Sequence, residues 1–226
     1  MLLLIDKPKG ITSHDVVSRV RKITGEKRVG HAGTLDPNAT GLLIVGVGRE
    51  STKKLGFYSQ NVKKIYNADV VLGEERDTDD PEGKVTFIDK KLAKIPLSKI
   101  KSVLKDFEGD QEQIPPIYSA IRIRGKKAYE IAREGKKVNM PPRQITIHSI
   151  KLLKYSFPLL KLKITCSSGT YIRSLARDLG EALGTKSYLK NLRRTAVGAA
   201  NIKNSIKLEN LDENWKDLPD FVDNKI

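Results

Sequence analysis

Sulfur is nearly absent from this chain, with one cysteine, Cys166, and two methionines in 226 residues. A lone cysteine excludes an internal disulfide framework and suits a reducing compartment, so a cytoplasmic protein is expected. Cys166 itself reads as a small core residue. Histidine is scarce: His14, His31 and His148 are scattered without ligand-type spacing, which argues against a structural metal. Long apolar runs are missing, so no segment spans a bilayer. Residues 1–5 are apolar, but Asp6 and Lys7 cut them short and no basic segment precedes them, so they read as a first strand rather than a leader. Dinucleotide, P-loop and metal signatures are also lacking. With no internal repeat, low-complexity stretch or linker, residues 1–226 read as a single domain.

Positive charge is abundant. Lys and Arg number 42 against 27 Asp and Glu, a net charge of +15 with a pI near 9.8. Such an excess points to a polyanionic partner, nucleic acid first; the plainer reading is a lysine bias that aids solubility. Its distribution favours a binding face. Between Tyr118 and Lys154 stand ten basic residues (Arg122, Arg124, Lys126, Lys127, Arg133, Lys136, Lys137, Arg143, Lys151 and Lys154) and two acids, Glu130 and Glu134. Acids gather instead at 74–82 and 209–223.

Patterning predicts a strand at 2–5, a turn at 7–10, and a helix capped by Ser13, running to Thr24 and ended by Gly25. A buried strand is expected at 42–47, a short helix at 49–59 and a strand at 64–73. The acidic stretch 74–83 reads as a hairpin turn or a solvated loop; it lacks the glutamate spacing of a calcium loop. Further on come a strand at 85–88 and a helix capped by Ser98, with Ile100, Val103, Leu104 and Phe107 inward. A basic excursion follows over about 113–143, with a turn at Gly125 and a helical turn at 128–134. Strands at 143–157 and 159–166 pair as a hairpin. A helix capped by Thr170 buries Ile172, Leu175, Ala176, Leu179 and Leu183, and a strand at 188–195 follows.

Two stretches carry chemical interest. In Gly30-His31-Ala32-Gly33-Thr34-Leu35-Asp36-Pro37-Asn38-Ala39-Thr40-Gly41, one carboxylate sits between an apolar residue and a rigid proline, among three glycines. Glycine permits positive φ and close approach to a ligand, and proline restricts the residue before it. Asp36 thus reads either as a functional carboxylate on a loop or as the N-cap of a helix begun by Pro37; the apolar run after Gly41 leaves little room for that helix. The second stretch is Ser168-Gly169-Thr170-Tyr171-Ile172-Arg173-Ser174-Leu175. Arg173 falls in a first helical turn, off the buried stripe, where a cation opposes the helix dipole. It is either a functional cation or a surface arginine whose stem covers apolar neighbours.

Together these residues resemble the TruB family of tRNA pseudouridine synthases. The resemblance rests on Gly30–Pro37 with Ala39-Thr40-Gly41, on Lys64-Ile65-Tyr66-Asn67-Ala68, on Asp77-Thr78-Asp79, on Pro115-Pro116-Ile117-Tyr118-Ser119-Ala120, on Gly169–Leu175 and on Leu192-Arg193-Arg194-Thr195, in the family's order over about residues 2–198. It implies an α+β pseudouridine synthase fold around a mixed, largely antiparallel central sheet with flanking helices, and conversion of uridine 55 in the T-loop of tRNA to pseudouridine without a cofactor. It implies Asp36 as the catalytic carboxylate, Arg173 as its guanidinium partner and Tyr66 as the ring stacked on the base. His31, Gly33, Thr34, Tyr171 and Leu192 would contact the substrate, His31 bracing the space left by the flipped base. Arg122, Lys126, Lys127 and Arg143 would meet phosphates of the T-arm stem-loop, from an RNA-clasping insertion at about 113–143. A guide-RNA-dependent relative and a tRNA chaperone without chemistry are the alternatives. Asn38 departs from the larger apolar residue usual in the family, and no separate C-terminal RNA-binding domain is expected. The expected state is a monomer with no membrane partner.

Overall fold

The computed structural model describes residues 1–60, 62–123, 125–135 and 138–221. In chain order the elements are β1 (Leu2–Lys7), α1 (Ser13–Thr24), β2 (Val29–Ala32), β3 (Thr40–Val47), α2 (Arg49–Gln60), β4 (Lys64–Leu72), β5 (Glu74–Arg76), β6 (Val85–Ile88), α3 (Leu97–Asp106) and β7 (Gly109–Gln113). Then follow β8 (Arg122–Ile123), β9 (Lys126–Lys127), α4 (Ala128–Arg133), β10 (Arg143–Ser156), β11 (Leu159–Cys166), α5 (Ile172–Ala182), β12 (Ser187–Val197), β13 (Ala200–Asn201) and β14 (Ile206–Lys207). The class is α+β, with mixed pairing in the sheet. No helix among the described residues is long and apolar enough to cross a membrane. The chain divides into two compact units, one of residues 1–67 with 192–226 and one of residues 68–191.

The first unit is built from both ends of the chain. Its strand order is β14-β1-β3-β12, with β2 on β3 and β13 on β12. β1 runs antiparallel to β3 from Leu2 opposite Gly46 to Lys7 opposite Gly41. The other edge of β3 is shared. β2 takes Ile44–Val47, and β12 takes Thr40 and Gly41 in parallel, through Arg193 and Arg194. The β2–β3 hairpin therefore cannot close tightly. Its pairing ends at Ala32 opposite Ile44, because β12 occupies the edge beyond, and residues 33–39 are left to loop out. Alternation along β1 and β3 sends side chains to both faces. Leu3, Ile5, Leu43 and Val45 pack with Val16, Val17 and Val20 of α1 and with Trp215. Leu2, Leu4, Leu42 and Ile44 pack with Leu55 and Tyr58 of α2.

In the second unit, which takes β4 from Ala68 onward, the order is β4-β11-β10-β7, and β10–β11 is the long hairpin that its alternation foretells. β5–β6 and β8–β9 are separate two-stranded hairpins; the first folds the acidic stretch into the turn expected there. A small apolar cluster of Ile121, Ala128 and Met140, flanked by Tyr171, sits under the basic segment. Cys166 is fully buried.

Several expectations shift. Thr12, not Ser13, caps α1, in a capping box with Asp15; Ser13 is drawn inward for another purpose. α3 begins after Pro96, so Ser98 lies inside its first turn, and Val103 and Phe107 are only half-buried beside buried Ile100 and Leu104. Tyr171 rather than Thr170 is the N-cap of α5, while Thr170 turns its hydroxyl back to the Ser167 carbonyl. β2 and β7 carry too few apolar residues to announce themselves. Pairing to β3 and β10 makes them strands.

Candidate active site

The 33–39 loop of the first unit is fixed at every turn. Gly33 and Gly41 bound it with φ of 77° and 102°. Within it, Ala39 donates its amide to the Asp36 carbonyl at 3.0 Å, closing a turn with Pro37 in second place. Leu35 and Ala39 are buried, so they anchor the loop on either side of half-buried Asp36. Ser13 is pulled off the helix cap because its hydroxyl clamps Leu35, accepting from the amide at 2.9 Å and donating to the carbonyl at 3.0 Å. Gly10 donates to the Pro37 carbonyl at 2.9 Å.

Three buried cations surround the same loop. Lys7, 0% exposed, donates to the carbonyls of Pro8, Ile11 and Pro37 at 2.7–3.2 Å. Burial pulls its ammonium down to about 8; Asp36 and Asp15 oppose that shift and the Arg194 charge adds to it. Arg194, 1% exposed, donates to the Leu42 carbonyl at 2.8 Å and the Gly33 carbonyl at 2.9 Å. Lys64 donates to the Ser59 carbonyl at 3.1 Å, and its ammonium lies close to Gly33. Sequence reading missed all three. Lys and Arg are ordinarily surface residues, and the signal that marks them is slight, a cation standing inside an otherwise apolar strand. Of the other expected residues in this unit, Tyr66 is buried in β4 and Leu192 is half-buried in β12. Thr34 is exposed on the loop. His31 is half-buried in β2; burial holds its imidazole below the usual histidine range, with the charges of Arg194 and His14 contributing, and its Nδ1 is buried without a hydrogen-bond partner.

In the second unit Arg173 is not the surface arginine that one of its two readings makes it. It lies in the first turn of α5, but it is 5% exposed rather than at the surface. Its guanidinium donates to the carbonyls of Thr78 at 3.1 Å and Tyr118 at 3.0 Å, and lies 3.8 Å from Asp80. A helical wheel places it off the apolar stripe, yet the 78–80 turn and the 118 loop cover that face. Beside it, Arg177 pairs with Asp79 at 3.2 Å. Asp79 adopts φ of 59°, and burial raises its carboxyl to about 6 against the pull of Arg177 and Arg173. The start of α5 is held by Gln113, whose side chain both donates to the Tyr171 carbonyl and accepts from its amide.

The basic segment is solvent-facing. Arg122, Lys126 and Arg143 are exposed and Lys127 is half-buried. Lys126 and Lys127 have acid neighbours of their own, Glu134 at 3.6 Å and Glu130 at 3.9 Å. Arg124, Lys136 and Lys137 lie outside the described residues. No group of three or more His, Cys, Asp or Glu among the described residues is placed to hold a metal ion.

Chemically, the first unit presents a carboxylate on a loop with immobilised flanks, and the second an arginine locked by carbonyls. The backbone that carries Asp36 and the guanidinium of Arg173 are each held before any substrate arrives, which suits a reaction dependent on charge placement.

Comparison with known proteins bears on this arrangement. The model of the TruB family pseudouridylate synthase N-terminal domain matches residues 21–172, and that of the tRNA pseudouridylate synthase B C-terminal domain matches residues 173–221. The tRNA pseudouridine synthase B of Dehalococcoides mccartyi (strain CBDB1) is 48% identical, over 93% of this chain and 69% of that protein. The protein of the same name from Corynebacterium diphtheriae is 46% identical, over 94% of this chain and 72% of the relative. Among solved structures, a Cbf5-Nop10-Gar1 complex contains a chain matching at TM-score 0.73 and 29% identity, over 96% of this chain. An H/ACA RNP bound to a substrate RNA containing 2′-deoxyuridine gives TM-score 0.69 and 27% identity, over 93% of this chain. This chain spans about half of those two, 55% and 51%. With family models matched in series from residue 21 to residue 221, the chain belongs to the TruB family of pseudouridylate synthases.

Proposed function

We propose that this chain isomerises uridine 55 in the T-loop of tRNA to pseudouridine, acting as a monomer in the cytoplasm without a guide RNA or cofactor. The observation that carries this reading is its 46–48% identity, over most of its length, to proteins named tRNA pseudouridine synthase B. The chains of the Cbf5-Nop10-Gar1 complex and of the H/ACA RNP are more distant, at 27–29%.

The reaction breaks the N1–C1′ bond, turns the uracil, joins C5 to C1′, and moves a proton from C5 to solvent while N1 gains one. No electrons are exchanged, so the protein must supply placement and charge. Asp36 is the reacting carboxylate, acting as nucleophile or charge stabiliser. Arg173 serves the same step as the cation that favours the ionised acid. The target base must leave its stack, at a cost of a few kcal/mol. Tyr66 stacks on it, Tyr171 and Leu192 contact it, and His31 braces the space it vacates. Gly33 and Thr34 bring backbone and hydroxyl close to the substrate. Arg122, Lys126, Lys127 and Arg143, in the 113–143 insertion of a single catalytic domain, meet the phosphates of the T-arm.

Tritium release from C5-labelled uridine in tRNA tests this reading. Purified protein alone should release one tritium per tRNA from full-length tRNA and from an isolated T-arm stem-loop. Asp36→Asn should bind tRNA normally and release tritium at least about 10³-fold more slowly. A wild type that binds tRNA and releases nothing would overturn the assigned activity, and a stem-loop converted only after a guide RNA is added would favour the guide-dependent reading.

A further inference from the structure

We propose that Arg194 is a positioning residue that sets the conformation of the 33–41 segment, and so the place of the Asp36 carboxylate; its catalytic meaning rests on the assignment of Asp36 above. Arg194 touches both ends of that segment. At one end its Nη2 donates to the Gly33 carbonyl at 2.9 Å. At the other its Nε donates to the Leu42 carbonyl at 2.8 Å, and its backbone stands opposite Gly41 in the parallel β12–β3 pairing. The two glycines complete the fit. A Cβ on Gly33 would lie 3.2 Å from the Lys64 ammonium and 3.4 Å from the Arg194 guanidinium, and a Cβ on Gly41 would run into the Arg194 backbone carbonyl. Both have positive φ, 77° and 102°. Arg194 is thus present at both termini of the loop, by its guanidinium beside Lys64 at Gly33 and by its backbone at Gly41.

Arginine suits the task for two reasons. Its planar fork reaches the two carbonyls from two separate nitrogens, Nε and Nη2, whereas the donors of a lysine share one nitrogen. Its charge also persists on burial, where a lysine would tend to lose its proton. A guanidinium 1% exposed is costly to place in a fold, and breaking its hydrogen bonds is costly too. A packing role alone would be met as well by an apolar side chain of the same volume. What such a side chain lacks is the pair of bonds to Gly33 and Leu42.

The test compares Arg194→Met and Arg194→Lys with wild type in single-turnover tritium release, tRNA binding, and amide hydrogen exchange. For Arg194→Met, turnover should fall at least 100-fold with tRNA affinity within threefold. Exchange at the 33–41 amides should quicken at least tenfold while β1 and the 44–47 stretch of β3 stay protected. Arg194→Lys, which keeps the stem and one donor nitrogen, should recover part of the turnover. Adding Asp36→Asn to Arg194→Met should lose nothing beyond Asp36→Asn alone. Full turnover in Arg194→Lys, or a loss of turnover with the 33–41 amides unchanged, would overturn the proposal. Global loss of protection in both variants would also overturn it, marking the residue as structural. The exchange readout does not depend on Asp36 being the reacting group: a loop that loosens while Asp36→Asn stays active would retire the Asp36 assignment and leave the positioning role standing.

Discussion

Buried cations set much of the behaviour expected of individual side chains. Arg173 is held by two carbonyls and faces Asp80, so it is oriented before any substrate arrives. Arg173→Ala should then lower turnover by about 10²–10³-fold while tRNA affinity changes less than threefold, the pattern of a group used chiefly in the transition state. Equal losses in turnover and binding, measured by single-turnover release and filter binding, would assign it to binding instead. Lys7 makes a different prediction. Its folded pKa of about 8 lies below the ordinary lysine value near 10.5, and burial is the main cause. Between those values the unfolded chain carries a proton that the folded chain has released. Its contribution to stability therefore rises with pH across that window, by about 1–3 kcal/mol in all. Lys7→Met should lack that rise. Urea unfolding of both proteins at pH 8 and pH 10 measures it, and an equal pH response in the two would remove the effect.

Among the elements, β3 shows why the loop that bears Asp36 exists. It is paired by β1 on one edge and by β2 and β12 on the other, and the arrival of β12 at Thr40 and Gly41 ends the β2 pairing early. Seven residues are left over, and they carry the carboxylate. The glycine at the junction is obligatory, since its φ of 102° and the adjacent Arg194 backbone leave no room for a side chain. Gly41→Ala should cost about 1–3 kcal/mol of stability from backbone strain alone, read as a lower midpoint in urea, with turnover reduced in whatever fraction still folds. A neutral effect would mean that β12 can shift away from β3. The glycine-rich composition of this stretch is legible in the sequence because backbone need selects residue type directly. The strands around it are less so. β2 is Val-Gly-His-Ala and β7 is Gly-Asp-Gln-Glu-Gln, strands made by their neighbours rather than by their own propensity.

Taken over the entire chain, the net charge of +15 implies strong electrostatic attraction to RNA. The basic excursion from Tyr118 onward concentrates it, but local acids neutralise part of it, since Lys126 and Lys127 sit beside Glu134 and Glu130. Arg122 and Arg143 are therefore expected to matter more. Replacing both with alanine should weaken tRNA binding and reduce the slope of log K against log salt by about one for each phosphate left unneutralised, roughly two in all. Lys126→Ala should change it by less. A double variant with an unchanged slope would place the phosphate face elsewhere. The chain's two ends also meet within one unit. The Leu2 amide donates to Asp220, β1 pairs with β14, and β12 returns to β3 after the whole 68–191 unit has intervened. Such long-range closure is expected to slow folding, because the loop must be closed before its pairing forms.

The sequence by itself determined the family, the loop that bears Asp36, the charge that seeks RNA and most of the element order. All of these are written in residue type and spacing, which act locally. Only the tertiary structure decided which cations are buried. Arg194 reaches Gly33 across 161 residues and Lys7 reaches Pro37 across 30. Arg173 finds the carbonyls of Thr78 and Tyr118 across 95 and 55. A charged side chain is placed inside a fold by the carbonyls that gather around it. Those carbonyls come from segments whose positions no local pattern encodes.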